Sequence, residues 1–296
     1  MRVIELGPDQ GTATVVAIGD ALYPPLLREI HDPPAALYVR GDPAALSRPM
    51  LAMVGSRRAS AAGLRLAREL ARLLSDAGLQ VCSGLALGID AAAHRGALQG
   101  CAGTLAVMAT GIDSVYPRRH AALATDIIAN GCLVTEFTPG MPPLRENFPR
   151  RNRIVSGLSL GVLVVEAALP SGSLITARTA MEQNREVFAL PWSPLHDRGA
   201  GCLHLLRDGA KMVQAVDDIL EEVGPLFTLA RQGVPDTATT GPIDEGPLLG
   251  HLGYEAVALD ELLQHSGLTT EEALRELSRL EVAGHVSRVP GGYIRC

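Results

Sequence analysis

Between residues 50 and about 225 the chain alternates between two patterns of apolar and polar positions. Short apolar runs of strand length occur at 51–54, 79–83, 104–108, 132–135, 161–166 and 186–190. Between them lie stretches whose apolar residues recur three and four apart, the helical period. The clearest is 60–77, where Leu64, Ala67, Leu70, Ala71, Leu74 and Ala77 share one face, Ser60 is placed to cap the start and Gly78 the end. Further helices are expected at 90–99, 117–130, 148–158, 174–184, 204–208 and 216–223. Strands apolar on both faces, separated by amphipathic helices, predict βαβ units and an α/β fold with a parallel sheet covered on both sides.

The flanks differ. Residues 1–20 show little periodicity, and 21–42 carry paired prolines that punctuate a short helix and a strand at 36–39. Residues 1–49 are therefore read as a lead-in and strap packing on a main domain at 50–225. Residues 226–242, rich in Gly, Pro and Thr, read as a linker. In 243–296, helices are expected at 246–252, 259–265 and 270–282, then two strands within 286–294, a winged-helix-like domain.

Ligands of open parallel sheets bind beyond the carboxyl ends of the strands. The residues there become the candidates. After the first strand stand Gly55, Ser56, Arg57 and Arg58; after the second, Ser83, Gly84 and Gly88; further on, Arg118, then Gly172, Ser173 and Thr176. Glycine allows close backbone approach, a helix start offers unpaired N–H groups, and arginine forks onto phosphate. The same turn also serves structure, and the dinucleotide fingerprint is incomplete, because only Gly55 and Gly63 are present. The run E-N-F-P-R-R-N-R at 146–153 places Phe148, Arg150, Arg151, Asn152 and Arg153 at a helix start, where positive charge opposes the dipole. That combination suits phosphates with one stacked base. Asp90 and His94 lie four apart and are expected to form a hydrogen-bonded pair that fixes the glycine loop before them, an acid–base pair being the alternative; Glu166 and Asp113 are isolated carboxylates at strand ends.

Charge and composition alter this picture little. The net charge is −6 and aromatics make up 3%, so neither a broad basic surface nor a wide stacking platform is indicated. Lys211 is the only lysine, so the basic groups are arginines almost throughout. Five cysteines form no C-x-x-C pair, which argues for reduced thiols in a cytoplasm and against a metal site. No run reaches membrane-spanning length and no signal peptide is apparent. Nucleophile elbow, metal-ligand cluster and Walker loop are missing, so no catalytic residue, cofactor or enzymatic activity is expected. The rival is a nucleotide-processing hydrolase of the lysine-decarboxylase-like Rossmann group, of whose loop P-S-G-S-L-I-T at 170–176 is a distant echo.

Taken together, G-S-R at 55–57, S-G-L-A-L-G-I-D-A-A-A-H at 83–94, G-I-D-S-V-Y-P at 111–117, N-F-P-R-R-N-R-I-V-S-G-L-S at 147–159, S-G-S-L-I-T-A at 171–177 and the strap at 23–38 resemble the DNA-processing protein A family, DprA or Smf. The resemblance covers residues 20–225 and, more loosely, the tail. It implies an extended Rossmann-type domain that binds single-stranded DNA, forms homodimers, protects incoming DNA and loads RecA recombinase during natural transformation. The family's phosphate motif maps onto Gly55, Ser56 and Arg57, its basic pocket onto Arg150, Arg151 and Arg153. Many members carry a sterile-alpha-motif domain before the strap; about 20 residues precede it here, so that domain is expected to be absent or trimmed.

Overall fold

The computed structural model describes residues 4–5, 13–232, 248, 252, 257–282, 286–289 and 292–295. The chain forms two compact units, Met1–Val234 and Pro235–Cys296. The first is built on β4 (Met50–Val54), all five residues of which are buried. Met50, Ala52 and Val54 enter one core and Leu51 and Met53 the other, as the two-residue period of a strand requires. β5 (Gln80–Ser83), β6 (Thr104–Val107), β8 (Gly131–Thr135) and β9 (Gly161–Val164) are likewise buried throughout, which is why they read as unbroken apolar runs.

With β10 (Glu186–Ala189), β11 (Lys211–Met212), β3 (Ala36–Gly41) and β2 (Thr14–Ala17), these strands make one nine-stranded sheet in the order β11-β10-β9-β4-β5-β6-β8-β3-β2. The strands from β11 to β8 are parallel. β3 runs antiparallel to β8, and β2 antiparallel to β3. The strap thus does more than pack on the domain, and the sheet is mixed rather than purely parallel. Leu37, Val39 and Val16 are the residues its two strands bury in the core. β2 has only Val16 buried, so a half-exposed edge strand of four residues leaves almost no apolar signal. A further pair, β1 (Ile4–Glu5) with β7 (Ser114–Val115), is antiparallel.

α2 (Ala61–Asp76), α3 (Ile89–Ala97) and α8 (Asp217–Gln232) cover one face. α1 (Pro25–Arg28), α5 (Asn147–Gly157), α6 (Gly172–Glu182) and α7 (Ala200–Arg207) cover the other, and α4 (Ala121–Ala129) lies over β6 and β8. α8 runs through 226–232, part of the expected linker, and the boundary between units falls at 234/235. α7 begins four residues before the expected start at 204 because Gly201 packs against Ala167, a contact that needs its missing side chain.

From β4 the chain steps outward through β5, β6 and β8, then returns to β9 on the opposite side of β4. The crevice between β4 and β9 is therefore the topological switch point, where this class of sheet binds its ligands.

The second unit contains α9 (Leu259–Ser266), α10 (Thr270–Val282) and the hairpin β12 (Val286–Val289) with β13 (Gly292–Arg295). Leu248, Leu252, Leu262, Ala273, Leu277, Leu280, Val286 and Tyr293 form its core. The helix expected at 246–252 lies outside the described residues, except for Leu248 and Leu252.

Candidate nucleic-acid interface

At the end of β4 the backbone passes too close to its neighbours for any side chain. A Cβ on Gly55 would lie 2.6 Å from Ile89 Cγ1 and 2.8 Å from the Glu166 carbonyl oxygen. The next N–H, of Ser56, donates to that carbonyl at 2.7 Å, fastening the turn across the switch point. The Ser56 hydroxyl accepts from Arg58 N–H at 3.2 Å, which leaves its own proton free to donate. Arg57 and Arg58 project as exposed side chains.

The N-terminus of α2, expected to receive an external anion, already holds one. The Glu166 carboxylate is fully buried and accepts from Ser60 N–H at 3.0 and 3.2 Å and from the Ser60 hydroxyl. Gly63 must be small because a Cβ there would reach within 2.5 Å of Glu166 Oε2. Ser60 also caps the helix by accepting from Gly63 N–H at 3.0 Å. Glu166 is therefore a cap for a helix 106 residues earlier in the chain. What remains for a ligand on this side is the arginines and the Ser56 hydroxyl.

The loop after β5 is held in the same manner. Asp90 Oδ2 accepts from Gly84 N–H at 3.1 Å and Ala86 N–H at 3.3 Å. Leu85 has φ +57°, an uncommon conformation for a residue with a side chain, and both its backbone groups are gripped by buried imidazoles. His94 Nε2 accepts from Leu85 N–H at 3.3 Å, and His120 Nδ1 donates to the Leu85 carbonyl at 2.9 Å. His94 Nδ1 then carries the proton and donates to Thr104 Oγ1 at 2.8 Å, which donates to the Val81 carbonyl at 2.6 Å. Burial pushes His94 down to about 3, so the ring is neutral. Asp90 and His94 both fix the glycine loop, but not as the hydrogen-bonded pair expected: each holds different atoms of it. Gly88, at φ +79°, allows Ile89 N–H to reach the Ser56 carbonyl at 3.2 Å. Ser83 is structural too: its hydroxyl donates to the Met53 carbonyl at 2.6 Å.

α5 divides the basic cluster. Phe148, Arg151, Asn152 and Val155, spaced three and four apart, line the crevice. Arg150 and Arg153 are on the other side of the helix and do not line it. Arg153 pairs with Glu136 and, at 3.3 Å, with Asp32 of the strap; Arg150 lies over the Phe137 ring at 5.4 Å and 3.7 Å from Glu136. The cause is helical geometry: the four consecutive polar positions 150–153 cannot face one way. These two residues are thus placed outside the crevice, as is Arg118, in the turn before α4.

Arg151 is buried, with Nη1 donating to the Val107 carbonyl at 2.9 Å and Nε unpartnered. Its guanidinium lies on Gly84, where even a Cβ would come within 1.5 Å of Nη1. Desolvation holds its pKa below the usual arginine value and raises that of Asp90, while the two opposite charges counter each shift. The Arg57 guanidinium stands 5.3 Å over the Phe148 ring, and Tyr116 meets that ring edge-on at 5.7 Å.

On the β9 side the donors are open. Ser171 caps α6 by accepting from Ser173 N–H at 3.3 Å, and its hydroxyl lies 2.7 Å from that of Ser173. The Thr176 hydroxyl has no hydrogen-bond partner among the described residues, and a Cβ on Gly172 would meet nothing within 4 Å. The whole crevice is an open groove of about 1920 Å³. Gly55, Ser56, Arg57, Arg58, Gly84, Phe148, Arg151, Asn152, Gly172, Ser173 and Thr176 all line it. So do Arg145, which adjoins the basic cluster in sequence, and Tyr116, Ser171 and Arg198, which sequence reasoning did not select. Arg198 follows β10 after eight residues without periodicity, so only the strand-end rule pointed toward it. Five arginines against the one carboxylate of Asp90 make the lining strongly positive. Among the described residues there is no metal-binding group of His, Cys, Asp or Glu.

The model of DNA recombination-mediator protein A matches residues 14–224, and that of the DprA winged helix domain residues 234–292. This chain belongs to the DNA recombination-mediator protein A family. Protein Smf of Escherichia coli (strain K12) is 42% identical over 97% of this chain and 78% of its own. DNA processing protein DprA of Streptococcus pneumoniae is 45% identical over 70% of this chain and 73% of its own. An X-ray structure of the S. pneumoniae protein superimposes with a TM-score of 0.69 at 42% identity, covering 72% of this chain and 75% of that one. The family member from Helicobacter pylori, whose structure was described for its single-stranded DNA binding mode, superimposes with a TM-score of 0.64 at 29% identity over 71% and 96%. The C-terminal family match agrees with the helix pair and hairpin of the second unit.

Proposed function

We propose that this chain binds single-stranded DNA in the groove beyond β4 and β9 and acts, without catalysing a reaction, as a recombination mediator. It would shield incoming single strands and pass them to a RecA-type recombinase during natural transformation, as a homodimer. The observation that carries the binding is the side-chain set of the groove: five arginines in its lining, with Phe148 between Arg57 and Tyr116. Arginines read the phosphates and the ring stacks on an unpaired base, so sequence matters little. The structure of the H. pylori relative and its described binding mode favour the same ligand. A non-catalytic role is favoured because Asp90 and Glu166, the carboxylates at the switch point, are tied to backbone N–H groups.

The test is a titration of labelled oligo-dT at several salt concentrations. Affinity should fall steeply with salt, duplex DNA should bind more weakly, and Arg57→Ala should cost about 1–3 kcal/mol while remaining folded. Equal affinity for duplex and single strand at moderate salt would sink the reading. Release of ribose phosphate from nucleoside monophosphates would replace it with the hydrolase.

A further inference from the structure

The segment between β10 and α7 has no regular structure at 190–196, yet it is riveted to the end of β9 at three consecutive residues. Trp192 Nε1 donates to the Val165 carbonyl at 2.7 Å. His196 Nε2 lies 3.4 Å from the buried Glu166 Oε2, and Gly201 N–H donates to the Ala167 carbonyl at 2.7 Å. The arm is closed on itself as well. The His196 ring stacks on Trp192 with centroids 4.4 Å apart, and a Cβ on Gly199 would come within 2.2 Å of Trp192 Cβ. Arg198, between those anchors, lines the groove and is exposed, with no ion pair or hydrogen bond among the described residues.

Strand order explains where this puts it. β10 and β4 flank β9, so the arm and the Gly55–Arg58 turn rise on either side of the same strand end. Glu166 holds both: its carbonyl and carboxylate fasten Ser56 and Ser60 of the turn, and its Oε2 also faces His196 of the arm. A long cationic side chain on a free loop would lose much of its binding energy to ordering. A cation on an arm anchored at three points does not.

We propose that Arg198 is a second phosphodiester contact for the single strand, and that His196, acting through Glu166, is the positioning residue that presents it. This rests on the proposed single-strand binding. Trp192 is the chain's only tryptophan, so its emission reports on the arm alone. The experiment uses the full chain and oligo-dT over a salt series, with Arg57→Ala alongside. Arg198→Ala should weaken binding about 5- to 20-fold and lower the slope of log K against log salt by about 0.7, the share of one phosphate on a single strand. Its Trp192 emission should stay as in the parent. His196→Ala should red-shift that emission and weaken binding at least threefold, and His196→Gln, whose amide still donates to Glu166, should restore both. Affinity and slope unchanged in Arg198→Ala while Arg57→Ala is weakened would overturn this inference alone; both unchanged would overturn single-strand binding in the groove. Restoration failing in folded His196→Gln, with affinity as low as in His196→Ala, would remove His196 from the positioning role.

Discussion

The two sides of the switch-point crevice solve one physical problem in opposite ways. Beyond β4 and β5, Ser60 N–H at the α2 start and the N–H groups of Gly84, Leu85 and Ala86 are taken by the protein's own Glu166, Asp90 and His94. Beyond β9, the α6 start has only small hydroxyls near it and an open space over Gly172. The first side is a rigid frame that presents arginines and a ring; the second leaves the Thr176 hydroxyl without a partner among the described residues. A strand-turn-helix motif with a serine cap is therefore an anion site only when no carboxylate of the same chain already fills it.

The largest effect should come from emptying the filled side. Glu166→Ala removes the partner of Ser60 N–H and of its hydroxyl inside a dry site, and should destabilise the first unit by about 3 kcal/mol. Urea unfolding followed through Trp192 would measure it. A loss below about 1 kcal/mol would mean that the α2 start is satisfied without Glu166, and the two sides would then not differ.

The same frame should be acid-sensitive. His94 is held at about 3 in the fold against 6.5 in the unfolded chain. The unfolded chain thus takes the proton first. The stabilisation is complete above pH 6.5 and is lost as pH falls toward 3, by about 2 kcal/mol at pH 5. His120, also lowered by burial, adds in the same direction. Asp90, raised by burial, has the opposite sign, so the comparison of wild type with His94→Gln isolates the imidazole. Identical acid limbs for the two proteins would show that His94 is not buried neutral.

Two serine- and threonine-scale changes sharpen the contrast further. Ser60→Ala should cost about 1 kcal/mol of stability and leave single-strand affinity alone. Thr176→Val should do the reverse, costing about 1 kcal/mol of affinity with stability nearly unchanged. The pair is measured by urea titration and by anisotropy with oligo-dT; the inverted result would exchange the roles of the two sides.

Much of this was legible in the sequence, for reasons that can be named. The central strands are buried on both faces, so Leu51, Met53, Val81 and Leu163 announce themselves, and α2 was bounded by Ser60 and Gly78 because capping is local. What stayed hidden depends on partners far apart in the chain. Ser60 does not reveal that Glu166 will occupy its helix, and the run at 146–153 does not reveal that Arg153 will pair with Asp32 and Glu136, outside the crevice. β2 was missed because one buried residue in four carries no period. Arg198 was missed because the arm that holds it is irregular, with its order supplied by Val165, Glu166 and Ala167.

The smallest effect is expected from the second unit, where a helix start is again filled, this time from within. Thr269 and Glu272 form a capping box at α10: Glu272 Oε2 accepts from Thr269 N–H at 3.0 Å and from its hydroxyl at 2.6 Å. Those bonds lower the Glu272 pKa, so the carboxylate is ionised at neutral pH. A winged helix that reads DNA presents the N-terminal part of its recognition helix to the bases. Here that position holds Glu272 in a local cap, and its carboxylate repels phosphate. Residues 243–296 contain nine carboxylates and four arginines, so nearly all the net charge of the chain lies there. The unit is therefore expected to serve contacts with protein rather than DNA. Removing residues 235–296 should leave single-strand affinity within about threefold, roughly 0.7 kcal/mol, and the isolated unit should not shift DNA even at low salt. A tenfold loss on truncation, or tight binding by the isolated unit, would show that the acidic helix start is turned away from a DNA surface elsewhere on this unit.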